Sequence, residues 1–477
     1  MFLLLYVYLE INGSAENQFR VGKLTNTMMK KLLLIVCIFC STGIYAQEDV
    51  KYRRSSLHLM MIEDAKLPEK GIIINTFNNY PFPDKYNDHK IKTITIPNFL
   101  NDDAEEAKKE LKEQKVADKA SGNKLSAEEK KKRKLIKSLK GADKTIEKYF
   151  NDNKVANQMV AKWFNMQKDG VMNLDLIADR GKYDATQMDV NVAGRMSKTV
   201  DAQLRDAGIE LIDKTFIIIN KFRFIENEIA AAIAYGITSA IIEALPTESK
   251  IELAIKNAAA KKAKKLYEKA RKGYTVGTQA ILYKLDWSES VQRAFFNEFF
   301  TDSAFNASLS ATERVENIKN FNNTDLFQLK LVGMEKQTIR VLNLTSEDLS
   351  KKQIIDEATK RTMNKVYAKL QKEYDVFKPK MPLITASKKD CTAKIGMKEG
   401  LEGGEKFEVL EQMVDKDGLT IYKNKGTIKV DKKKLWDNQF YAASPPTKKG
   451  KKEVIIATGF KGCKNSFYKG MLIKQLK

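Results

Sequence analysis

Four aspartates, Asp175, Asp179, Asp184 and Asp189, fall within the single stretch LDLIADRGKYDATQMD. Two carboxyl groups held about 5 to 9 Å apart across one cleft can share the acid, base or nucleophile roles of glycoside hydrolysis. Helix caps and exposed salt bridges produce the same spacings, and the run Asp179-Arg180-Gly181 reads as a helix end with its turn. The cluster therefore stands as the site of a carbohydrate-active hydrolase only as one of three functional expectations. Other chemistry is scarcer. His58 and His89 are the only histidines, and they join no HExxH or close Cys/His cluster of the kind that holds zinc. No GxSxG elbow occurs. GGEKF lacks the Ser/Thr and the helix of a phosphate-binding loop, and DKDG at 415–418 is too short for a calcium loop. Catalytic, metal and cofactor residues are accordingly assigned to none, and the expectation is a protein that is not an enzyme and carries no cofactor.

The segment 28–46 has the three parts of a secretory signal: Lys30 and Lys31, an apolar run from Leu32 to Cys40, and a small residue, Ala46, at the cleavage point. Its apolar core is well short of the roughly 20 residues that span a bilayer. Residues 1–27 read as upstream sequence translated from a misassigned start. Val36 and Phe39 precede Cys37 and Cys40 where a lipoprotein signal needs a small residue, so lipidation is not expected. The expected location is the periplasm or outer membrane of a Gram-negative envelope, with cleavage after Ala46. The remaining chain has 80 basic and 59 acidic residues. That balance favours an anionic envelope surface, lipid or polysaccharide, as partner, together with envelope proteins. Nucleic acid is not expected: the basic run KKKRK at 130–134 has no interleaved aromatics and reads as a solvated helix face. Cys391 and Cys463 are the two cysteines left, either a disulfide or two buried thiols.

The elements that would position any site divide the chain. Residues 47–100, with the alternating SSLHLMMIED, then KGIIINTF and IKTITI, read as strand and loop. Residues 101–150, rich in Lys, Glu and Ala, read as a charged helical insertion. Residues 151–385 read as an α+β core of packed helices and a mixed sheet. VANQMVAKWFN and SKKQIIDEATKRTMNKVYAKLQKEY supply helices; DKTFIIINKFRFIE, TQAILYKLDW and LFQLKLVGMEKQTIRVL supply strands. Within the core, fourteen consecutive uncharged residues from Ile229 to Ile242 suit a buried or interfacial helix. A basic helix follows, with Thr247 or Ser249 as its cap. Its Lys261, Lys262, Lys264, Lys265, Lys269, Arg271 and Lys272 are the expected contacts to an anionic surface.

Residues 386–477 change character to short strand-like pieces separated by glycine turns and read as a small antiparallel β-barrel. IGMKEGLEGGEKFEVLEQ followed by GTIKV resembles the SH3-like barrel at the C-terminus of flagellar assembly T protein modules. The matching positions are Gly396, Gly400, Gly404, Glu405, Phe407, Val409, Gly426, Ile428 and Val430. With YRRSSLHLMMIE, VAKWFN and DRGKYDA, the chain also resembles a family of exported Bacteroidota proteins, which implies a compartment and no activity. The leading functional expectation is an exported binding or scaffolding component. The second is a membrane-associating, oligomeric or pore-forming assembly protein whose 229–242 helix inserts.

Overall fold

SLHLMMIE alternates less than its sequence suggests once folded: β1 (Ser56–Glu63) is buried on both faces, because it lies inside a sheet covered on both sides. The computed structural model describes residues 55–97, 127–139, 141–177, 180, 211–271, 273–341, 350–388, 390–414, 420–439 and 455–476. Beside β1 run the short β2 (Asn87–Asp88), β3 (Thr95–Pro97) and the long β4 (Thr215–Glu226), all parallel to it. From β4 the sheet continues antiparallel through β5 (Tyr274–Leu285) and β6 (Leu329–Val341), giving the order β2-β1-β4-β5-β6. The fold class is α+β, as expected from the sequence.

Side chains alternate across this sheet into two cores. Ile217, Ile219, Ile281 and Tyr283 face one cluster; Phe216, Ile218, Ala280 and Leu282 face the other. Several helices contribute to the first core, among them α2 (Ala127–Leu139), α3 (Ala142–Asp152) and α4 (Val155–Trp163). The second is closed by α1 (Lys70–Asn78) and α10 (Lys351–Glu373). Between these lie α5 (Asn227–Glu243), α6 (Lys250–Ala270), α7 (Glu289–Glu298), α8 (Ser303–Ser308) and α9 (Ala311–Asn323). Two local readings are corrected here. KGIIINTF is a helix, not strand or loop, because Ile73, Thr76 and Phe77 recur at helical spacing and are buried, with Thr76 Oγ1 donating to Asp356 Oδ1 at 2.9 Å. The end of the charged segment is not solvated either, since Ile146 and Phe150 of α3 are core residues.

Strand β6 carries an irregularity against β5 between Leu282 and Tyr283, and Gly333 lies beside it. A Cβ at Gly333 would sit 1.9 Å from the Tyr374 ring. That ring is held in place because Tyr374 Oη accepts from Met334 N at 3.0 Å and donates to Met334 O at 3.2 Å. Gly333→Ala is expected to cost about 1–3 kcal/mol by overpacking. An unchanged urea midpoint for that variant would rule the contact out.

The C-terminal part is a seven-stranded antiparallel sheet curled into a half-barrel. Its strands are β7 (Lys380–Pro382), β8 (Thr385–Ala386), β9 (Cys391–Ala393), β10 (Lys406–Val414), β11 (Thr420–Val430), β12 (Thr458–Lys461) and β13 (Leu472–Gln475), in the order β7-β13-β10-β11-β12-β9-β8. Phe407, Val409, Ile428 and Val430 point into its core. Gly400 and Gly404, in turns, and Gly426, at the register shift of β11 against β10, have φ of +81°, +103° and +150°, which explains glycine at those positions. Glu405 closes the turn at Gly404 by accepting from the backbone N–H of Glu402 and Gly403. A disulfide joins Cys391 to Cys463. The half-barrel is docked on α10, where a Cβ at Gly400 would meet Ala368 Cβ at 3.2 Å, and buried Lys85 lies 3.9 Å from buried Glu399. The segments 1–27 and 28–46, the first part of the charged insertion (101–126) and the DKDG turn lie outside the described residues.

Candidate functional site

β4 runs without a break into α5, and α6 returns almost directly to β5, so the pair of helices extends the β4–β5 hairpin beyond the sheet. Its base is fastened at several points. Glu226 and Tyr274 are still paired in the ladder, Thr275 Oγ1 donates to Asn227 Oδ1 at 2.6 Å, and Arg271 bridges Glu228 and Glu268 at 3.2 and 2.8 Å. Ser249 starts α6 with a capping box to Glu252. At the far end Lys256 Nζ donates to the carbonyls of Glu243 and Leu245, closing the C-terminus of α5. The helices touch through Ala231 and Ala263, both buried, and through Tyr235 and Tyr267, whose ring centroids are 4.9 Å apart.

Little of α5 is covered by that contact. Ala232, Ile233, Ala234, Gly236, Ile237, Thr238, Ala240 and Ile241 are all exposed, and none is charged. At 100° per residue they sweep roughly two thirds of the helix circumference. Ile233, Ile237 and Ile241, at 63, 61 and 64% exposure, form a stripe on the side turned away from α6. On α6, Ile251 and Ile255 are 74 and 60% exposed, and Leu253 and Leu266 are exposed as well. The uncharged run that suggested a buried or interfacial helix thus packs mainly against α6. Exposure of the α6 isoleucines was missed; KIELAI carried a signal for it, an apolar series opening a helix whose other face was already basic.

Lys261, Lys262, Lys264 and Lys265 lie exposed on the returning half of α6. Arg271 belongs to the base instead, because its guanidinium is engaged by two carboxylates. The Lys269 side chain and Lys272 lie outside the described residues. Neither helix is suited to crossing a bilayer: no described helix is long and apolar enough, and Glu243, Glu248 and Glu252 crowd the distal turn.

The other sequence candidates are placed differently. Asp175 is exposed on a short helical turn, while Asp179, Asp184 and Asp189 lie outside the described residues. No group of three metal-ligating side chains occurs among the described residues. Both histidines are core residues. His58 Nε2 donates to Thr93 O at 2.7 Å and Nδ1 accepts from Ile91 N at 3.4 Å. His89 stacks on Trp163, donates from Nε2 to Met159 O at 2.9 Å, and accepts at Nδ1 from Arg180 at 3.2 Å. These contacts suit the neutral ring.

Burial lowers the His58 pKa to about 4, and burial with the Arg180 charge pushes His89 well below its usual range. An unfolded histidine takes its proton near 6.5, so between about pH 6.5 and 4 the unfolded chain binds more protons than the folded one. Stability present above pH 6.5 is therefore expected to fall as the pH drops through that window, by about 3 kcal/mol from His58, with His89 adding in the same direction. Thermal melts at pH 7 and pH 4.5 check this. A His58→Gln variant should melt with a shallower pH slope, and equal slopes in the two proteins would exclude the assignment.

No known family model and no curated protein matches the chain.

Proposed function

We propose that this is a non-enzymatic envelope protein that docks on an anionic membrane surface through the α5–α6 hairpin and holds its two sheets there. The uncharged arc of α5 carries the reading. A protein partner would cover one side of that helix, whereas a bilayer interface can cover the whole exposed arc. Five isoleucines at 60 to 74% exposure represent roughly 5–10 kcal/mol of transfer free energy if buried. A single myristoyl chain, by comparison, gives only marginal binding, of the order of 10⁴ M⁻¹. Lys261, Lys262, Lys264 and Lys265 add attraction to anionic headgroups, at about 1 kcal/mol for each that reaches the surface. The acidic distal turn favours a hairpin lying in the interface over one that crosses it. The Cys391–Cys463 disulfide supports an oxidising compartment, in keeping with export.

Vesicle flotation tests the proposal. The purified protein should float with phosphatidylglycerol-containing vesicles, bind neutral phosphatidylcholine vesicles less, and lose part of its binding in high salt. Protein left at the bottom of the gradient with both vesicle types would end the membrane reading. A concentration-dependent dimer in the ultracentrifuge alongside that result would assign the apolar stripe to a second copy instead.

A further inference from the structure

The half-barrel carries a charge arrangement that opposes its own folding. Residues 380–477 contain 22 lysines, no arginine and 11 acidic residues. In the sheet register Lys406 of β10 lies directly across from Lys429 of β11, and Lys429 lies directly across from Lys461 of β12. All three are exposed. Strands are about 4.8 Å apart, so three cationic stems start from one row perpendicular to the strands. Like charges in directly opposed positions destabilise a sheet. Asp431 lies 3.4 Å from Lys461, but neither Lys406 nor Lys429 has an ion-pair partner among the described residues. The turn after β11 then adds exposed Lys432, Lys433 and Lys434.

Three of these lysines, Lys429, Lys432 and Lys434, lie over glycines. A Cβ on Gly404 would touch Lys429 Cε at 3.6 Å, one on Gly403 would overlap the Lys432 stem at 2.3 Å, and one on Gly459 would overlap the Lys434 stem at 2.7 Å. Bare backbone thus lies under each of these lysines, which rest along the sheet. Stems positioned this way have less rotamer freedom left to lose on binding.

We infer that this face of the half-barrel binds a linear polyanion, an acidic polysaccharide with carboxylate or sulfate on successive sugars. Lys406, Lys429 and Lys461 fall on one line across three strands, with Glu408 following Lys406 along β10, and a line of charge matches one extended chain better than the broad field of a lipid surface. Compact ammonium groups without any guanidinium fork match a density of charge more than a particular planar group. Among the described residues, Lys380 sits over the Tyr422 ring and Lys394 over Trp436, so a lysine occupies one face of each ring that a nucleobase would otherwise stack on. The inference stands independently of the hairpin.

Titration of the full chain with polygalacturonate tests it, with neutral dextran, phosphatidylglycerol vesicles and single-stranded DNA as comparisons. The expected result is salt-sensitive binding to polygalacturonate and none to dextran. Lys406→Gln/Lys429→Gln/Lys461→Gln should weaken that binding about tenfold, the order given by losing three exposed ion pairs. The same variant should melt at or above the wild-type temperature, because the like-charge row is gone. Unchanged affinity in the triple variant overturns the inference. So does a lower melting temperature with intact binding, preferred binding of DNA, or binding to vesicles alone that the triple variant abolishes.

Discussion

Ile233→Ser/Ile237→Ser/Ile241→Ser is expected to leave the protein folded and to lower its affinity for anionic vesicles by at least about a hundredfold. Full burial of an isoleucine is worth about 1.5–3 kcal/mol, and these three are 61 to 64% exposed. Together they account for roughly 3–6 kcal/mol of interfacial binding, or about two to four orders of magnitude in the dissociation constant. The fold should not feel the change, because the stripe faces away from α6 and serine costs little more than isoleucine in a helix. Flotation and a melting curve on the same sample separate the outcomes. A melting temperature several degrees lower with undiminished flotation would mean that the stripe packs inside the protein, and the docking proposal would fall.

Loss of the Cys391–Cys463 disulfide should produce the second large effect. The two cysteines are 72 residues apart, and cross-linking a loop of that length removes chain entropy from the unfolded state worth about 4 kcal/mol. Cys391 lies in β9, next to the last strand of the half-barrel path, and Cys463 follows β12, so the bond ties down the side of the sheet where β9 pairs with β12 over only two residues. Cys391→Ser/Cys463→Ser is expected to melt roughly 5 °C lower than the oxidised protein. Reductant should bring the wild type to the same value. Equal melting curves with and without reductant would show that the bond contributes nothing to folding in solution.

Much of the fold was legible because its signals are local. β-branched runs mark β4 and β5, helical spacing marks α4 and α10, and glycine turns mark the half-barrel, where Phe407, Val409, Ile428 and Val430 occupy the inward positions their alternation implies. KGIIINTF was not legible in the same way. Three consecutive isoleucines satisfy a strand or a buried helix equally, and the contact of α1 with α10, some 280 residues away, selects the helix.

What the sequence determined by itself was composition and period: an uncharged α5, a lysine-rich α6, two cysteines in the C-terminal sheet, and two histidines outside any HExxH or close Cys/His cluster. Tertiary structure decided what those residues do. An apolar helix has one composition whether protein or lipid covers it, and only the projection of α5–α6 beyond the sheet leaves Ile233, Ile237 and Ile241 in the open. His58 and His89 become neutral core groups only when β1, α4 and the chain after β2 close around them. The lysine row depends on register across three strands, including a shift between Val409 and Leu410, and Lys429 meets Lys461 across 32 positions of sequence. Exposure and cross-strand register are properties of distant segments brought together, and short-range periodicity carries no record of either.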